Sequence, residues 1–179
     1  MVFPLIFKPK HNYLLKRFGK ENDGGYLVNS NSILSSNFLL SIGIFDDWSF
    51  EKSFMQHNKN AKIFCYDDLI SFNFIFTRSL KKIAIDLKNF KFNNIFNNLQ
   101  RISDYIFISN KIKFLKKKII RGDIPEIIKN FDKVFLKIDI EGSEYEILND
   151  ILEIQNRLTA LIIEFHHVDR NRDKIENFI

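Results

Sequence analysis

The sequence lacks the cysteines that a disulfide framework needs, because Cys65 is its single cysteine. One cysteine excludes an internal disulfide and fits a reducing compartment. A long apolar run at the start is also missing. The stretch MVFPLIFKPK is short and is broken by Pro4, which does not fit a signal peptide or a membrane span. We therefore expect a cytoplasmic protein.

Glycine-rich nucleotide motifs are missing as well. The apolar stretch Phe38–Ile44 leads into a turn whose one glycine is Gly43. Nicotinamide-binding folds use G-x-G-x-x-G at such a turn, so that the backbone can approach a pyrophosphate. Here Asp46 and Asp47 follow, and their charges would repel a pyrophosphate. These features argue against a nicotinamide oxidoreductase, and no nucleic-acid-binding motif is present either.

What the sequence does contain is a strongly patterned stretch at residues 133–148, KVFLKIDIEGSEYEIL. The apolar run from Val134 to Ile140 is typical of a strand that is buried on both faces of a parallel sheet. Gly142 then permits a sharp turn. Ser143 and Glu146 predict a capping box that starts a helix. This stretch therefore indicates a strand, a turn and a helix.

Similar apolar stretches predict a doubly wound α/β fold in one domain, residues 1–179. They are Phe38–Ile44, Lys62–Tyr66 and Leu158–Phe165, with the basic Ile112–Ile120 as a strand near the sheet edge. The carboxyl ends of parallel strands meet at one edge, where ligands bind in open α/β sheets. The candidate site residues at this edge are Gly43, Asp46, Asp47, Ser49, Asp67, Asp139, Glu141, Glu164 and His166.

A basic segment interrupts the alternation of strands and helices. Residues 69–118 hold eleven lysines and arginines against two aspartates, a net charge of +9, whereas the whole chain carries +5. Apolar positions recur at helical spacing, so residues 69–110 predict one or two amphipathic helices inserted between the second and third strands. These helices could lie on an anionic membrane or cover an acceptor site. We favour a helical cap with a solvated basic face over membrane contact.

Five segments resemble, in the same order, those of FkbM-type methyltransferases, which depend on S-adenosylmethionine (SAM). They are RFGKENDGGYLV at 17–28, LLSIGIFDDWSFE at 39–51, IFCYDD at 63–68, KIDIEGSE at 137–144 and LIIEFHHVD at 161–169. The resemblance implies a Rossmann-like class I methyltransferase fold. It also implies methyl transfer from SAM to an oxygen, which we expect to be a carbohydrate hydroxyl in cell-surface glycan biosynthesis.

The resemblance also suggests which residues bind the cofactor. Asp67 aligns with an acid that accepts both ribose hydroxyls, and Asp68 is the fallback. The turn after the first core strand would supply further cofactor contacts, because acids there suit the ammonium and sulfonium of SAM. Those residues are Gly43, Asp46, Asp47 and Ser49, with Asp139 from the fourth segment, KIDIEGSE. The competing interpretation is that the polar residues after Gly43 only cap the next helix.

Methyl transfer to a hydroxyl calls for a base or a metal, because a hydroxyl is a poor nucleophile near neutral pH. Glu141 and His166 are the candidate bases, with Asp139 beside them as a third catalytic candidate. Histidine as a residue type titrates closest to neutral pH. These three residues and Glu164 could instead form an oxygen-rich divalent-metal site. We do not favour the metal, because ligand spacing across separate strands is invisible in a sequence.

The first 37 residues contain turn chemistry at residues 22–25, followed by the strand-like Tyr26–Val28. One interpretation is a hairpin that covers one end of the sheet. The other, which follows from the resemblance, is that Asp23 and Tyr26 border the cofactor pocket. The sequence leaves both open.

Methyltransferases of this fold usually continue past the fifth strand with a helix and two more strands, whereas this chain ends at Phe178–Ile179. We therefore expect a truncated C-terminus, or a homo-oligomer in which a partner covers the apolar edge Leu161–Phe165. The alternative function is an inactive, truncated methyltransferase-like protein that acts as a basic membrane- or partner-binding module. Such a module could lie at the inner face of the membrane, but it would leave the strand-end acids unexplained.

Overall fold

The computed structural model describes residue 8, residues 11–21 and residues 24–179. Asp23, which was expected to border the cofactor pocket, lies outside these residues. The strands are β1 (Leu15–Phe18), β2 (Tyr26–Asn29), β3 (Phe38–Ile42), β4 (Lys62–Asp67), β5 (Lys113–Lys116), β6 (Val134–Ile138) and β7 (Leu158–Ile163). The helices are α1 (Ser30–Ser35), α2 (Ser49–His57), α3 (Phe72–Lys88), α4 (Phe92–Ser109), α5 (Asp123–Ile128), α6 (Leu148–Ile154) and α7 (Arg172–Phe178).

The strands form two sheets. β1 and β2 pair antiparallel as the predicted hairpin, while the other five strands follow the order β5-β4-β3-β6-β7 with every neighbour parallel. The chain runs outward from β3 to β5, then crosses back to β6 and continues to β7. This confirms the predicted doubly wound, Rossmann-like sheet. The strand order reverses between β3 and β6, and open α/β sheets bind ligands at such a reversal.

The two central strands carry the core. Every residue of β3 and β6 is buried, and alternate side chains point to opposite faces because a strand has a period of two. Leu39 and Phe135 pack with α2 on one face, whereas Leu40 and Leu136 pack with α5 and α6 on the other. Each such side chain stabilises the fold by about 1.5–3 kcal/mol. The layers therefore hold the ends of β3 and β6 in fixed positions.

The helix start after β6 differs from the prediction, and the capping box is wrong. Ser143 makes no side-chain cap bond, and Glu144–Glu146 form a 3₁₀ turn before α6 begins. Glu144, and not Glu146, is the buried acid, and its Oε2 accepts the Gly142 N–H at 2.7 Å. Gly142 has a φ of +101°, which favours glycine. The carboxylate of Glu144, two residues after Gly142, therefore holds this turn closed.

The basic insertion is two helices, as one form of the prediction had it. α3 and α4 pack against each other between β4 and β5, and we call this pair the helical hairpin. Ile75, Tyr105 and Ile108 are buried and attach one end of the hairpin to the core. Within the described residues, no helix is both long and apolar enough to cross a bilayer.

Candidate active site

A cavity of about 570 Å³ opens where the strand order reverses, at the carboxyl ends of β3, β4, β6 and β7. Cavities of roughly 300–1,000 Å³ are typical of small-molecule sites. The wall consists of Tyr26, Gly43–Asp47, Tyr66–Leu69, Lys117–Ile119, Asp139–Glu141, Glu164 and His166, among others. Most of the residues expected at the sheet edge therefore meet here. Ser49 is the expected residue that does not line the cavity.

Gly43 allows the strand ends to approach each other. Its φ is +76°, and a Cβ at this position would overlap the carbonyl oxygen of Asp139. Its N–H donates to the carbonyl oxygen of Tyr66 at 2.8 Å. The turn after β3 is thus held against the ends of β4 and β6. Gly43 shapes the crevice through this close approach.

Tyr26 brings the β1–β2 hairpin into the site. Its hydroxyl donates to Asp139 Oδ2 at 2.9 Å and lies 3.3 Å from Glu164 Oε2. Burial, together with Asp139 and Glu164, raises the pKa of Tyr26 well above its usual range, so the hydroxyl stays a donor. The hairpin interpretation is confirmed, and Tyr26 also borders the cavity, whereas a role at a cofactor stays a prediction.

A buried ion pair lies beneath the cavity. Lys137 Nζ is 3.5 Å from Glu51 Oε1, and the two residues are only 3% and 0% exposed. The Ser41 hydroxyl donates to the same oxygen at 2.5 Å. A buried charge needs such a partner, so the pair fixes α2 against the central strands. The sequence signal was a lysine inside a fully buried strand, but it did not identify Glu51.

His166 lies among carboxylates at the end of β7. Its Nε2 is 3.8 Å from Asp139 Oδ1 and 3.7 Å from Glu141 Oε2. Its backbone N–H donates to Oε1 of the buried Glu144 at 2.6 Å. Because Glu144 also accepts from Gly142, it joins the loops after β6 and β7. Sequence reasoning missed this role, although Glu144 is the last acid of the KIDIEGSE motif.

Three of the four candidate metal ligands come together. Asp139, Glu164 and His166 each offer one ligand atom, and these atoms lie within 4.8 Å of one another. Oxygen and imidazole ligands suit several divalent metals. The fourth candidate, Glu141, has an 89% exposed side chain. The arrangement could hold a cation, or it could serve as a base with carboxylates around it.

The two acids at the end of β4 differ in what they contact. Asp67 accepts the backbone N–H groups of Phe45 at 2.8 Å, Leu69 at 2.8 Å and Ile70 at 3.1 Å. A carboxylate offers about four acceptor positions, so Asp67 keeps roughly one for a ligand. Asp68 is exposed and makes no side-chain hydrogen bond within residues 24–179. Both acids line the cavity.

Asp46 lines the cavity, yet its carboxylate is held by the helical hairpin. Oδ2 lies 2.7 Å from Arg78 Nε, 2.9 Å from Arg101 Nη1 and 3.5 Å from Lys82 Nζ. Burial raises the pKa of Asp46, but these cations outweigh burial and hold the pKa below its usual range. The acid therefore anchors the insertion, a role that the sequence did not indicate.

Asp47 and Ser49 hold the turn and the start of α2. Asp47 pairs with Lys20 at 2.7 Å, and its Oδ1 accepts the Ser49 N–H at 2.9 Å. The Ser49 hydroxyl donates to the carbonyl oxygen of Gly24 at 3.1 Å. Only the bond from the Ser49 N–H to Asp47 fits the capping interpretation, because Trp48 precedes α2 and supplies no side-chain cap bond. The cofactor roles of Asp46, Asp47 and Ser49 stay predictions.

The C-terminal part of the chain is similar to a known protein family. Residues 96–179 match the sequence model of the methyltransferase FkbM domain. The match begins inside α4 and includes β6 and β7 with their strand-end residues, so the family resemblance is confirmed over this range. This match supports a methyltransferase function for the chain. The three motifs nearer the N-terminus lie before the matched residues. No curated protein and no solved structure matches the chain.

Proposed function

We propose that this chain, whose residues 96–179 carry an FkbM-type methyltransferase domain, transfers a methyl group from SAM to a carbohydrate hydroxyl. We further propose that the acceptor is a cell-surface glycan or its nucleotide-linked precursor, and that the protein works in the cytoplasm. The family supports the reaction, and the cavity at the strand reversal supports the site.

The single observation that carries the proposal is the division of this cavity into two polar ends. Asp67 and Asp68 lie at the end of β4, and the cluster of Asp139, Glu164 and His166 lies at the ends of β6 and β7. The turn at Gly43 separates the two ends, because β3 lies between β4 and β6. An elongated ligand across this turn would therefore contact both ends at once.

The residues present fit SAM. Asp68, and the remaining acceptor position of Asp67, suit the ribose hydroxyls. The apolar Leu69 and Ile119 line the same end and suit a purine ring. In the described part of the chain the acids of the second cluster form no salt bridge with a lysine or arginine, and Lys137 of the same cavity is paired with Glu51, so these acids suit positive groups. When bound, SAM would supply a methyl group on a sulfonium, which an acceptor oxygen displaces in line.

His166 is our candidate for accepting the proton of the acceptor hydroxyl. Asp139 and Glu141, at 3.8 Å and 3.7 Å from Nε2, would stabilise the imidazolium that forms. The Tyr145 hydroxyl donates to the His166 carbonyl oxygen at 2.5 Å, and Glu144 accepts the backbone N–H. The backbone of His166 is therefore fixed from two sides, which positions its ring. A divalent cation on Asp139, Glu164 and His166 is the second route to an activated hydroxyl.

Calorimetry and turnover measurements on the full chain test the proposal. SAM should bind, NADH should not, and S-adenosylhomocysteine should accumulate only with a carbohydrate acceptor. His166→Gln should lower turnover by about 10²–10⁴-fold, the usual contribution of a general base, whereas the loss of SAM affinity should be far smaller because Asp139 and Glu164 remain. His57→Gln is the matched control, because His57 lies on α2 away from the cavity.

Three outcomes would decide between the alternatives. A chain that binds no SAM is not a methyltransferase of the kind proposed. SAM binding without turnover on any acceptor would favour the inactive binding module instead. Loss of turnover on treatment with EDTA, with recovery on adding Mg²⁺ or Mn²⁺, would favour the metal route over the histidine base.

A further inference from the structure

The far end of the helical hairpin exposes a cluster of large apolar side chains. We call residues 85–96 the hairpin tip. Its most exposed members are Ile85 at 60%, Leu87 at 53%, Phe90 at 80%, Phe92 at 65% and Phe96 at 69%. Single exposed apolar residues are ordinary, but five within the twelve residues at the end of one hairpin indicate an interaction surface.

Lysines surround this apolar group. Lys81, Lys88 and Lys91 are exposed beside it. The one acid of the tip, Asp86, has its carboxylate within 3.4 Å of Asn94 Nδ2 and 3.3 Å of Asn98 Nδ2. The tip therefore combines aromatic side chains with an excess of positive charge.

Phe90 is unfavourable for folding alone. It connects α3 to α4 with a φ of +56°, a conformation that glycine and asparagine adopt at lower cost than an aromatic residue. Its ring is also the most exposed of the tip. Neither backbone geometry nor burial accounts for a phenylalanine here.

The rest of the hairpin is attached to the sheet without help from the tip. Arg78 and Arg101 bind Asp46, and Lys52 Nζ lies 3.0 Å from the Asp104 carboxylate. The buried Tyr105 stacks on Phe114 of β5 with ring centroids 5.1 Å apart. The apolar tip is thus held away from the core on two helices that are anchored at their other end.

We propose that the hairpin tip docks on an anionic membrane surface. Aromatic rings can enter the boundary between headgroups and acyl chains, while flanking lysines meet lipid phosphates. A second copy of this chain fits less well, because it would bring the same lysines face to face. This inference uses residues outside the cavity and does not depend on the proposed methyl transfer.

Sedimentation with vesicles tests the inference on the full chain. The protein should bind vesicles of phosphatidylcholine with phosphatidylglycerol, bind pure phosphatidylcholine far more weakly, and lose affinity as salt rises. Phe90→Asn should weaken binding about tenfold or more, the ratio expected when a buried ring returns to water. The thermal midpoint should be unchanged or higher, since asparagine suits the backbone better.

Matched variants separate the tip from general surface effects. Phe92→Ser with Phe96→Ser should also abolish binding, and this double variant does not alter the strained turn. Lys88→Gln with Lys91→Gln should remove the preference for anionic lipid. Leu34→Asn, at a residue 61% exposed on α1, and Lys59→Gln, at an exposed lysine, should change nothing.

Three results would overturn the inference. The full chain could fail to bind anionic vesicles. Folded Phe90→Asn and Phe92→Ser/Phe96→Ser proteins could bind as well as the parent. The tip variants could instead convert a dimer to a monomer in light scattering without any vesicle binding, which would assign the surface to a second copy.

Discussion

Asp67 has one observed structural role and one proposed role in SAM binding, and a single substitution would affect both. Its carboxylate fixes the turn after β3 through the Phe45 N–H and its own loop through Leu69 and Ile70. It also keeps capacity for a ribose hydroxyl. Asp68 has no such structural bonds in the described part of the chain, so the neighbouring acids form a natural pair for comparison.

We predict that Asp67→Ala weakens SAM binding by about 1.5–3 kcal/mol, the loss expected for hydrogen bonds to a charged group. It should also lower stability, because three backbone N–H groups lose their acceptor. Asp68→Ala should weaken binding with little change in stability. Calorimetry and thermal unfolding give the two quantities separately.

Asp132→Ala is the control, since its side chain is 80% exposed and precedes β6, at the end of the strand opposite to the cavity. It should leave SAM affinity unchanged. If both Asp67→Ala and Asp68→Ala bind SAM like the parent, the ribose does not lie at the end of β4.

At the residue level, sequence reasoning found the side chains that follow the strands but not their partners. Asp139, Glu141 and His166 could be predicted because parallel strands bring their carboxyl ends to one edge. Glu51 and Arg101 could not, since they reach the site from helices whose rotation and docking depend on tertiary packing. Tyr26 was identified only through the family resemblance, because 113 residues separate it from Asp139.

At the level of elements, hydrophobic periodicity predicted the five parallel strands and the helices of the insertion. The predicted boundaries of these strands and helices were less accurate. Ile112–Ile120 shortens to β5 because its lysines and edge position limit pairing to Lys113–Lys116. The capping box failed because the Ser-x-x-Glu pattern is local, whereas Glu144 is buried by contacts with the loop after β7.

The attachment of the helical hairpin through Asp46 leads to a prediction about the stability of the protein. Asp46→Asn should remove the charge that Arg78, Arg101 and Lys82 share, and destabilise the protein by about 1–2 kcal/mol, because the cations are partly solvated. Thermal unfolding measures the loss, and limited proteolysis should show faster cleavage within α3 and α4. Asp132→Asn is the matched control, since Asp132 pairs with Arg157 outside the hairpin and should not change cleavage within α3 and α4.

The same ion cluster predicts the direction in which stability changes with pH. The pKa of Asp46 is lowered in the folded protein, so its contribution is complete above about pH 4, the usual carboxyl range. It is lost as pH falls through the lower folded-state pKa. The acid-induced part of the destabilisation should therefore be smaller in Asp46→Asn than in the parent. Equal acid sensitivity would contradict the anchoring role.

At the level of the whole molecule, the unequal distribution of charge gains a structural explanation. Part of the net charge of +9 in residues 69–118 is neutralised within the fold, because Asp46 binds three cations of this segment. The lysines of the hairpin tip belong to the positive charge that Asp46 does not neutralise. A solvated cap, which we favoured from the sequence, accounts for the lysines but not for the aromatic rings between them.

The outer edge of β7 leads to a prediction about self-association of the chain. Within the described residues, β7 pairs with β6 alone, and all six of its residues are partly exposed. The Glu164 N–H donates to the Ile138 carbonyl oxygen at 2.9 Å, and successive N–H groups alternate in direction. The N–H groups of Leu161 and Ile163 therefore point away from the sheet. We propose that a second copy of the chain pairs along this edge.

We expect the full chain to self-associate in light scattering and the amides of Leu161 and Ile163 to be protected from hydrogen exchange. Leu161→Pro removes an outward donor without touching the bonds to β6, so it should shift the protein to the monomer. Leu161→Ala loses a similar side chain but keeps the donor, and it should remain associated. A parent protein that is monomeric at every concentration, with fast exchange at both amides, would show that β7 is a free edge. Equal association of the two variants would place the contact elsewhere on the surface.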